Sequence, residues 1–321
     1  MPTVAGLIAI VFVISHIIPA DPVALVAGET ATQEQIEALR AKLGFDKPLH
    51  VQLFTYFANL LRGDLGVSLY TSRPITQDLA TRLPATIELT LAAMLLSIVV
   101  GIPLGVLSAV HRNSVFDHAL RIVTVSGLAI ASFWLGIMLQ LLFSMKLGWT
   151  PLNGRIDGFP PRGGTGLFLV DTLVAGNFRQ FWNAVEHLAL PTVTLAFPAL
   201  ATVVRFTRAG VLDVIQSAFV QYERAMGLPS GVIVWKYILR NALISTVTQI
   251  GLLFGILLAG TVVIETVFDW PGIGNYAFGS ILQSDYNAIM GFTVWAGVMF
   301  ILVNLLVDIA HSFIDPRETR S

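Results

Sequence analysis

The chain has 321 residues, with 19 Lys and Arg against 20 Asp and Glu, a formal net charge of −1 and no Cys. Hydrophobic residues make up 55% of the sequence. Six stretches contain no Asp, Glu, Lys or Arg: 1–20, 89–111, 122–145, 187–204, 241–264 and 286–307. As helices they would extend about 27–36 Å, the thickness of a bilayer's hydrocarbon core. The composition therefore excludes a soluble globular enzyme, and the missing basic surplus excludes nucleic acid as a partner.

We expect an all-α polytopic membrane protein with six transmembrane helices, one for each charge-free stretch. Residues 1–20 are predicted to be a retained span, because no basic segment precedes them as it would in a signal peptide. Lys and Arg concentrate in 111–121 and 205–240, which places these short connections inside, whereas 268–287 has neither and belongs outside. Both termini are then cytoplasmic, and membrane lipid surrounds the helices.

The first external segment, 21–85, is predicted to contain two short helices. Thr32 and Gln35 fit a capping box at the start of the first, and Gly44 ends it. Pro48 begins the second, and Gly63 ends it. The second external segment, 146–186, is rich in Gly and Pro and is predicted to be a loop.

Several residues inside the predicted spans have expected effects on helix shape and packing. Pro103, Pro191 and Pro198 are expected to bend their helices. Gly101 and Gly105, one turn apart, allow a neighbouring helix to approach closely.

Four polar residues are the predicted lining of a path through the helices: Ser132, Gln140, Gln249 and Glu265. Side chains of this kind within apolar spans are costly to bury, so each is expected to meet water, a solute or a polar partner. For Gln140, Gln249 and Glu265 the sequence also permits hydrogen bonds to neighbouring helices, and both interpretations stay open.

Enzymatic signatures are missing from the sequence. No Lys follows a Gly, so the chain lacks the phosphate-binding loop of many ATPases, and no His precedes a Glu, as the zinc-protease signature requires. Two other classes remain as alternatives. Glu265 and Asp308, near span ends, motivate an ion-driven secondary transporter. The Gly66–Ser68 sequence motivates an intramembrane hydrolase.

The segment 211–240, between the fourth and fifth predicted spans, contains a short exposed helix. Gly227 and Pro229 end this helix. Its apolar side chains would fit a groove on another protein. The candidate contact residues are Phe219, Tyr222, Glu223, Arg224, Ala225, Met226, Gly227 and Leu228.

Arg224–Leu228 and Leu239–Leu243, in this order, resemble the cytoplasmic signature of binding-protein-dependent ABC importer permeases. Further motifs resemble the first-type subunits of the dipeptide, oligopeptide and nickel branch. These motifs are Ile18–Pro22, Gly63–Gly66 with Ser68, Arg82–Thr86, Ser132–Gly136, His187–Pro191, Glu265–Gly274, Val303–Asp308 and Asp315–Arg317. The resemblance extends from about residue 4 to residue 317.

The resemblance implies a type I ABC importer permease fold, with residues 1–321 as one transmembrane permease domain. It implies a bacterial cytoplasmic (inner) membrane location and a heteromeric complex. The partners would be a second homologous permease, two ABC ATPase subunits that bind ATP and Mg, and an extracytoplasmic substrate-binding protein. This chain would hold no cofactor or metal, catalyse no reaction, and receive motion through a coupling helix around Tyr222. Di- or oligopeptides are the expected solutes, with glutathione, nickel chelates, opines and oligosaccharides as alternatives.

Overall fold

The computed structural model describes residues 6, 8–13, 32–161 and 164–314, and these form helices joined by turns and loops. The named helices are α1 (Gln33–Leu43), α2 (Leu49–Leu61), α3 (Ile75–Val110), α4 (Val115–Ala129), α5 (Ser132–Leu139), α6 (Phe168–Val174), α7 (Phe178–Ile215), α8 (Ala218–Ala225), α9 (Leu239–Val267), α10 (Ile273–Leu282) and α11 (Tyr286–Ile314). Residues 6 and 8–13 are also helical. Two π-helical segments, Gln140–Lys146 and Ile233–Ile238, extend α5 and lead into α9. The all-α prediction is confirmed for the described residues.

Three described helices are long and apolar enough to cross a membrane unbroken: Ile75–Val110, Phe178–Ile215 and Tyr286–Val303. Two bent pairs qualify if each pair counts as one span: Val115–Ala129 with Ser132–Lys146, and Gln249–Leu258 with Thr261–Val267. The described residues thus hold three to five candidate spans. Most of the predicted first span, 1–20, lies outside the described residues.

The two helices predicted in 21–85 are present, and their ends follow the local sequence. The Thr32 hydroxyl accepts a hydrogen bond from the backbone N–H of Gln35, and the Gln35 side chain accepts one from the backbone N–H of Thr32. This reciprocal pair is the predicted capping box. Gly44 ends α1 in the left-handed conformation, with φ of 77°. Pro48 precedes α2, and Gly63 follows it with φ of 79°.

The prediction that 146–186 is a loop is wrong for its second half, which contains α6 and the beginning of α7. The Asn177 side chain caps α7 by accepting a hydrogen bond from the backbone N–H of Gln180. The Asp171 carboxylate accepts hydrogen bonds from the backbone N–H of Gly166 and the hydroxyl of Thr165, which fixes the turn before α6. The loop was predicted from Gly and Pro residues, and most of these residues lie before residue 167.

The prolines that are expected to bend their helices lie inside continuous helices, and the bending at these positions stays a prediction. The helix α7 continues through Pro191 and Pro198 as one element. A sharp change of direction lies after α4, where the chain bends by 107° between Val115–Ala129 and Ser132–Lys146. Ile130 and Ala131, which join them, have extended backbones with ψ of 128° and 126°. The bend is thus made by two residues that leave the helical conformation, without proline.

The close approach predicted at Gly101 and Gly105 is confirmed, and the neighbour is α7. A Cβ atom added to Gly101 would lie 2.9 Å from Val203 Cγ1, and one added to Gly105 would lie 2.7 Å from Thr207 Cβ. Both distances are shorter than nonbonded carbon atoms tolerate, so only glycine fits at these positions. The pair of glycines therefore fixes the packing of α3 against α7.

The chain divides into two compact units, one of residues 1–85 with 271–301 and the other of 86–270 with 302–321. The first unit has an apolar core formed by Ile75, Leu79, Ile273, Tyr276 and Ala288, and a second cluster formed by Ile8, Phe12, Met290 and Val294. The second unit contains α4 to α9 and every residue of the candidate site below.

Candidate coupling site and translocation helices

The helix α8 is short because local sequence signals end it. Gly227 follows the last turn with φ of 78°, a conformation that residues with a Cβ adopt at a cost. Its backbone N–H donates to the carbonyl of Arg224, and that of Leu228 donates to the carbonyl of Glu223. Pro229 then starts the next turn. The short helix predicted between the fourth and fifth spans is therefore present, at Ala218–Ala225.

One side of α8 is anchored in an apolar cluster through Val220, which is fully buried. We call this group the coupling cluster; its members are Val106, Ala109, Val211, Val220, Ile233, Ile238 and Ala242. They come from the end of α3, the end of α7, α8, the π-helical segment and the start of α9. A displacement of α8 would thus act directly on the ends of three long helices.

The other side of α8 leaves apolar side chains partly or largely exposed in the described part of the chain. Phe219 is 38% exposed, and Tyr222 and Met226 are each 64% exposed. Arg224, Ala225 and Gly227 are also exposed, whereas Glu223 and Leu228 are half-buried. Six of the eight predicted contact residues therefore face outward, while Leu228 packs partly against the coupling cluster.

Next to the coupling cluster, the fully buried carboxylate of Asp117 accepts four hydrogen bonds. Arg208 on α7 donates two, from Nε at 2.8 Å and Nη2 at 3.0 Å. The Ser108 hydroxyl on α3 and the backbone N–H of Asn113 donate the others. Such charge-assisted, bidentate bonds are strong and directional. This group was not among the predicted site residues, and its only signal in the sequence was one Asp and one Arg in the two connections predicted to lie inside.

Two of the four predicted path residues are engaged in hydrogen bonds within the second unit. Gln140 donates from its amide to the carbonyls of Leu152 and Val267. Glu265 is fully buried, and its carboxylate accepts a hydrogen bond from the Thr86 hydroxyl at 2.6 Å. Through these hydrogen bonds both residues hold the end of α9 to neighbouring segments. Their contacts agree with the interhelical alternative that the sequence left open.

The other two predicted path residues, Ser132 and Gln249, are half-buried. Ser132 begins α5, directly after the bend. Four positions after Ser132, Gly136 is buried, and a Cβ added there would lie 3.2 Å from the Phe268 ring. The Ser132–Gly136 motif thus marks a helix start that packs closely against α9.

An ion pair that the sequence analysis missed joins α3 to the loop before α6. The guanidinium of Arg155 donates to Glu88 from Nε, at 3.0 Å, and from Nη2. The other Glu88 oxygen accepts the backbone N–H of Leu169 in the first turn of α6. Burial lowers the pKa of Arg155, and the Glu88 charge opposes that change. In the sequence Arg155 lies among Gly and Pro residues, which are typical of an exposed loop, so no local pattern indicated that its side chain is buried.

The alternative functions find little support among the described residues. Ser68 is buried, and its hydroxyl donates to Asp285, whose other oxygen accepts the backbone N–H of Ala288. This arrangement fixes a helix start and leaves the Ser68 hydroxyl inaccessible as a nucleophile. The side chain of Asp308 lies outside the described part of the structure. No group of three or more acidic or His side chains suited to a metal occurs in the described part.

The sequence matches two families. Residues 101–320 match the family described as binding-protein-dependent transport system inner membrane component, and residues 3–90 match its N-terminal companion. The probable D,D-dipeptide transport system permease protein DdpB of Escherichia coli K12 is 45% identical over 99% of this chain and 94% of its own length. The glutathione transport system permease protein GsiC of Pectobacterium atrosepticum is 38% identical over 98% of this chain and 94% of its own.

A solved structure has a similar fold. The MetNI methionine ABC transporter, in an inward-facing conformation, gives a TM-score of 0.53 at 18% identity over 72% of this chain and 93% of the matched chain. At this identity the likeness concerns the fold alone, and it agrees with the expected type I ABC importer permease fold.

The chain belongs to the binding-protein-dependent transport system inner membrane components. It is a permease subunit of an ABC importer, a membrane protein of a non-enzymatic family, as the resemblance in its motifs implied. This membership removes the ground for the secondary-transporter and hydrolase alternatives.

Proposed function

We propose that this permease forms half of the translocation path of an ATP-driven importer for short peptides in the bacterial cytoplasmic membrane. A second homologous permease forms the other half. Two ATPase subunits bind ATP and Mg on the cytoplasmic side, and a substrate-binding protein delivers the solute from outside. The permease has six spans with both termini inside, of which the described residues supply up to five.

The surface for the ATPases is α8, and the observation that carries this assignment is the contrast between its two sides. Val220 is fully buried in the coupling cluster, while Tyr222 and Met226 on the other side are largely exposed. An exposed aromatic and a Met on a short rigid helix are typical of an anchor that inserts into a groove of a partner. Motion of that partner would reach α3, α7 and α9 through Val220.

The path residues divide into two pairs. Ser132 and Gln249 are half-buried polar residues on predicted spans, so we assign them to the path. Gln140 and Glu265 hold the end of α9 through Val267 and Thr86, so we assign them to the support of the path. Their polar groups already have partners within this chain.

The substrate class rests on the named relatives. DdpB is named for a D,D-dipeptide, and GsiC for glutathione, and both align over nearly the whole of this chain. The cargo that these names share is a small peptide-like molecule with charged ends. We therefore propose dipeptides first and glutathione second, with specificity set largely by the binding protein.

Cysteine cross-linking tests the α8 surface, since the chain contains no Cys of its own. Met226→Cys, in the complex assembled from all subunits, should cross-link to an ATPase subunit that carries an engineered Cys in its permease-facing groove. Trp149→Cys is the matched control, because Trp149 is equally exposed but lies in the segment placed outside. A cross-link from position 149, or none from 226, would refute the assignment.

Uptake into proteoliposomes tests the substrate. The complete complex is placed in liposomes so that its ATPase subunits face the interior, which contains ATP. These liposomes should accumulate labelled alanyl-alanine when the cognate binding protein is present outside. Competition with unlabelled glutathione separates the two peptide classes. Binding of neither peptide by the binding protein would reject the proposed cargo while leaving the α8 assignment intact.

A further inference from the structure

The helix α4 is absent from the coupling cluster, although it leads directly to the bend and to Ser132. The cluster joins α8 to α3, α7 and α9 through apolar side chains. At its other end α4 continues through Ile130 and Ala131 into α5, which begins at Ser132. If α8 receives the motion of the ATPases, that motion reaches α4 through contacts that lie outside the cluster.

Asp117 supplies such a connection, because it lies in the first turn of α4 and accepts hydrogen bonds from residues of α3 and α7 that adjoin the coupling cluster. Ser108, which donates to it from α3, lies between the cluster residues Val106 and Ala109. Arg208, which donates to it from α7, lies one turn before the cluster residue Val211. The Asp117 carboxylate therefore joins the start of α4 to the two helix ends on which α8 rests.

The character of this contact differs from the other packing of α4 on α7. Farther along, Gly127 of α4 packs against Ala201 and Phe197, where a Cβ would come within 3.3 Å. Apolar surfaces of this kind resist separation but carry little directional preference. The two Arg208 bonds to Asp117 fix distance and angle together, since the guanidinium fork and the carboxylate are both planar.

We infer that Asp117 and Arg208 are positioning residues that transmit displacement of α8 to α4 and from there to Ser132 at the bend. This inference rests on the proposed function of α8. The pair holds α4 in register with α3 and α7, so all three move together when the coupling cluster moves. Without the pair, α8 would still bind the ATPases through Tyr222 and Met226, but α4 would no longer follow.

The test uses the complete complex with a single Cys at position 132. The alkylation rate of Ser132→Cys is measured with and without ATP and vanadate, which trap the ATPases closed. Trapping should change this rate by at least about threefold when Arg208 is present. Arg208→Gln should abolish the change, and Arg208→Lys, which keeps the charge but loses the fork, should retain part of it. A purely structural role would lower assembly without selectively removing the response.

Arg205→Gln is the matched control, because Arg205 is exposed on the same helix, lies over the Phe206 ring and forms no hydrogen bond or ion pair with another described residue. It should leave the response unchanged. A full response in Arg208→Gln would overturn the inference. If Arg208→Gln does not assemble, Asp117→Asn and Arg208→Lys replace it, and a full response in either assembled variant overturns the inference equally.

The cross-link from Met226→Cys distinguishes failure of the proposed function of α8 from failure of the transmission through Asp117 and Arg208. If no cross-link forms when Asp117 and Arg208 are unchanged, the proposed function of α8 is refuted. The presence of the cross-link, together with an unresponsive position 132 in the wild-type background, would refute only the transmission through Asp117 and Arg208.

Discussion

Glu88 and Arg155 form an ion pair in which both side chains are only 6% exposed. The same loop carries Asp157, whose side chain is 77% exposed and whose Oδ1 lies 3.5 Å from Nε2 of the buried His187 ring. Arg155 and Asp157 are thus two residues apart, but the first side chain is buried and the second is exposed to water. Arg155 also lies over the Phe168 ring, with Cζ 3.7 Å from its centre, so an apolar wall completes the buried site.

Glu88→Gln should lower the free energy of unfolding by about 3–5 kcal/mol, because it leaves the Arg155 charge buried without its counter-ion. Asp157→Asn is the control, and it should change that free energy by about 1 kcal/mol at most, since water solvates the exposed Asp157 carboxylate. Thermal unfolding of the purified protein in detergent measures both. Equal shifts in the two variants would contradict the assigned difference in burial.

Gly105→Ala should destabilise the packing of α3 on α7 by about 1–3 kcal/mol, because the new methyl group would overlap Thr207 and the carbonyl of Val204. Gly231→Ala provides the comparison, since a Cβ there meets nothing within 4 Å. Thermal unfolding again gives the measurement. An unchanged midpoint for Gly105→Ala would show that the two helices separate easily.

Gly227→Pro should abolish uptake, because proline fixes φ near −65° whereas this position has φ of 78°. Gly227→Asn should keep most of the uptake, since Asn adopts the left-handed conformation more readily than other residues with a side chain. Peptide uptake by the complete complex is measured, together with peptide binding by the isolated binding protein, which neither variant should affect. Normal uptake in Gly227→Pro would contradict the role of α8.

Glu265→Gln should retain ATP-driven uptake, because a Gln side-chain oxygen can still accept the hydrogen bond from Thr86. ATP-free vesicles with an imposed pH gradient should show no uptake for either the wild type or this variant. The comparison distinguishes a structural carboxylate from one that carries protons. Gradient-driven uptake that disappears in Glu265→Gln would restore the ion-driven alternative.

Local signals in the sequence predicted the ends of the short helices. Thr32 with Gln35, Gly44 and Gly227 act within a few residues of their own positions, so the structure follows them. The glycine pair at Gly101 and Gly105 was also predictive, because one turn of spacing places both on one face of α3.

Features that depend on distant partners could not be read from the sequence. Glu88 and Arg155 are 67 positions apart, and Asp117 and Arg208 are 91 apart. At such separations neither pair produces a local pattern in the sequence. The bend at Ile130 and Ala131 carries no proline or glycine, so only packing decides it, whereas Pro191 and Pro198 remain inside a continuous helix.

The glycine contact between α3 and α7 restricts how this permease can open. Helices that meet backbone to backbone, with Val203 and Thr207 seated over Gly101 and Gly105, cannot slide along each other without collision. We expect α3 and α7 to travel as one rigid body, so the chain has fewer independently moving parts than it has candidate spans. We therefore expect the movement that admits a solute to occur at the bend, where Ile130 and Ala131 leave the helical conformation.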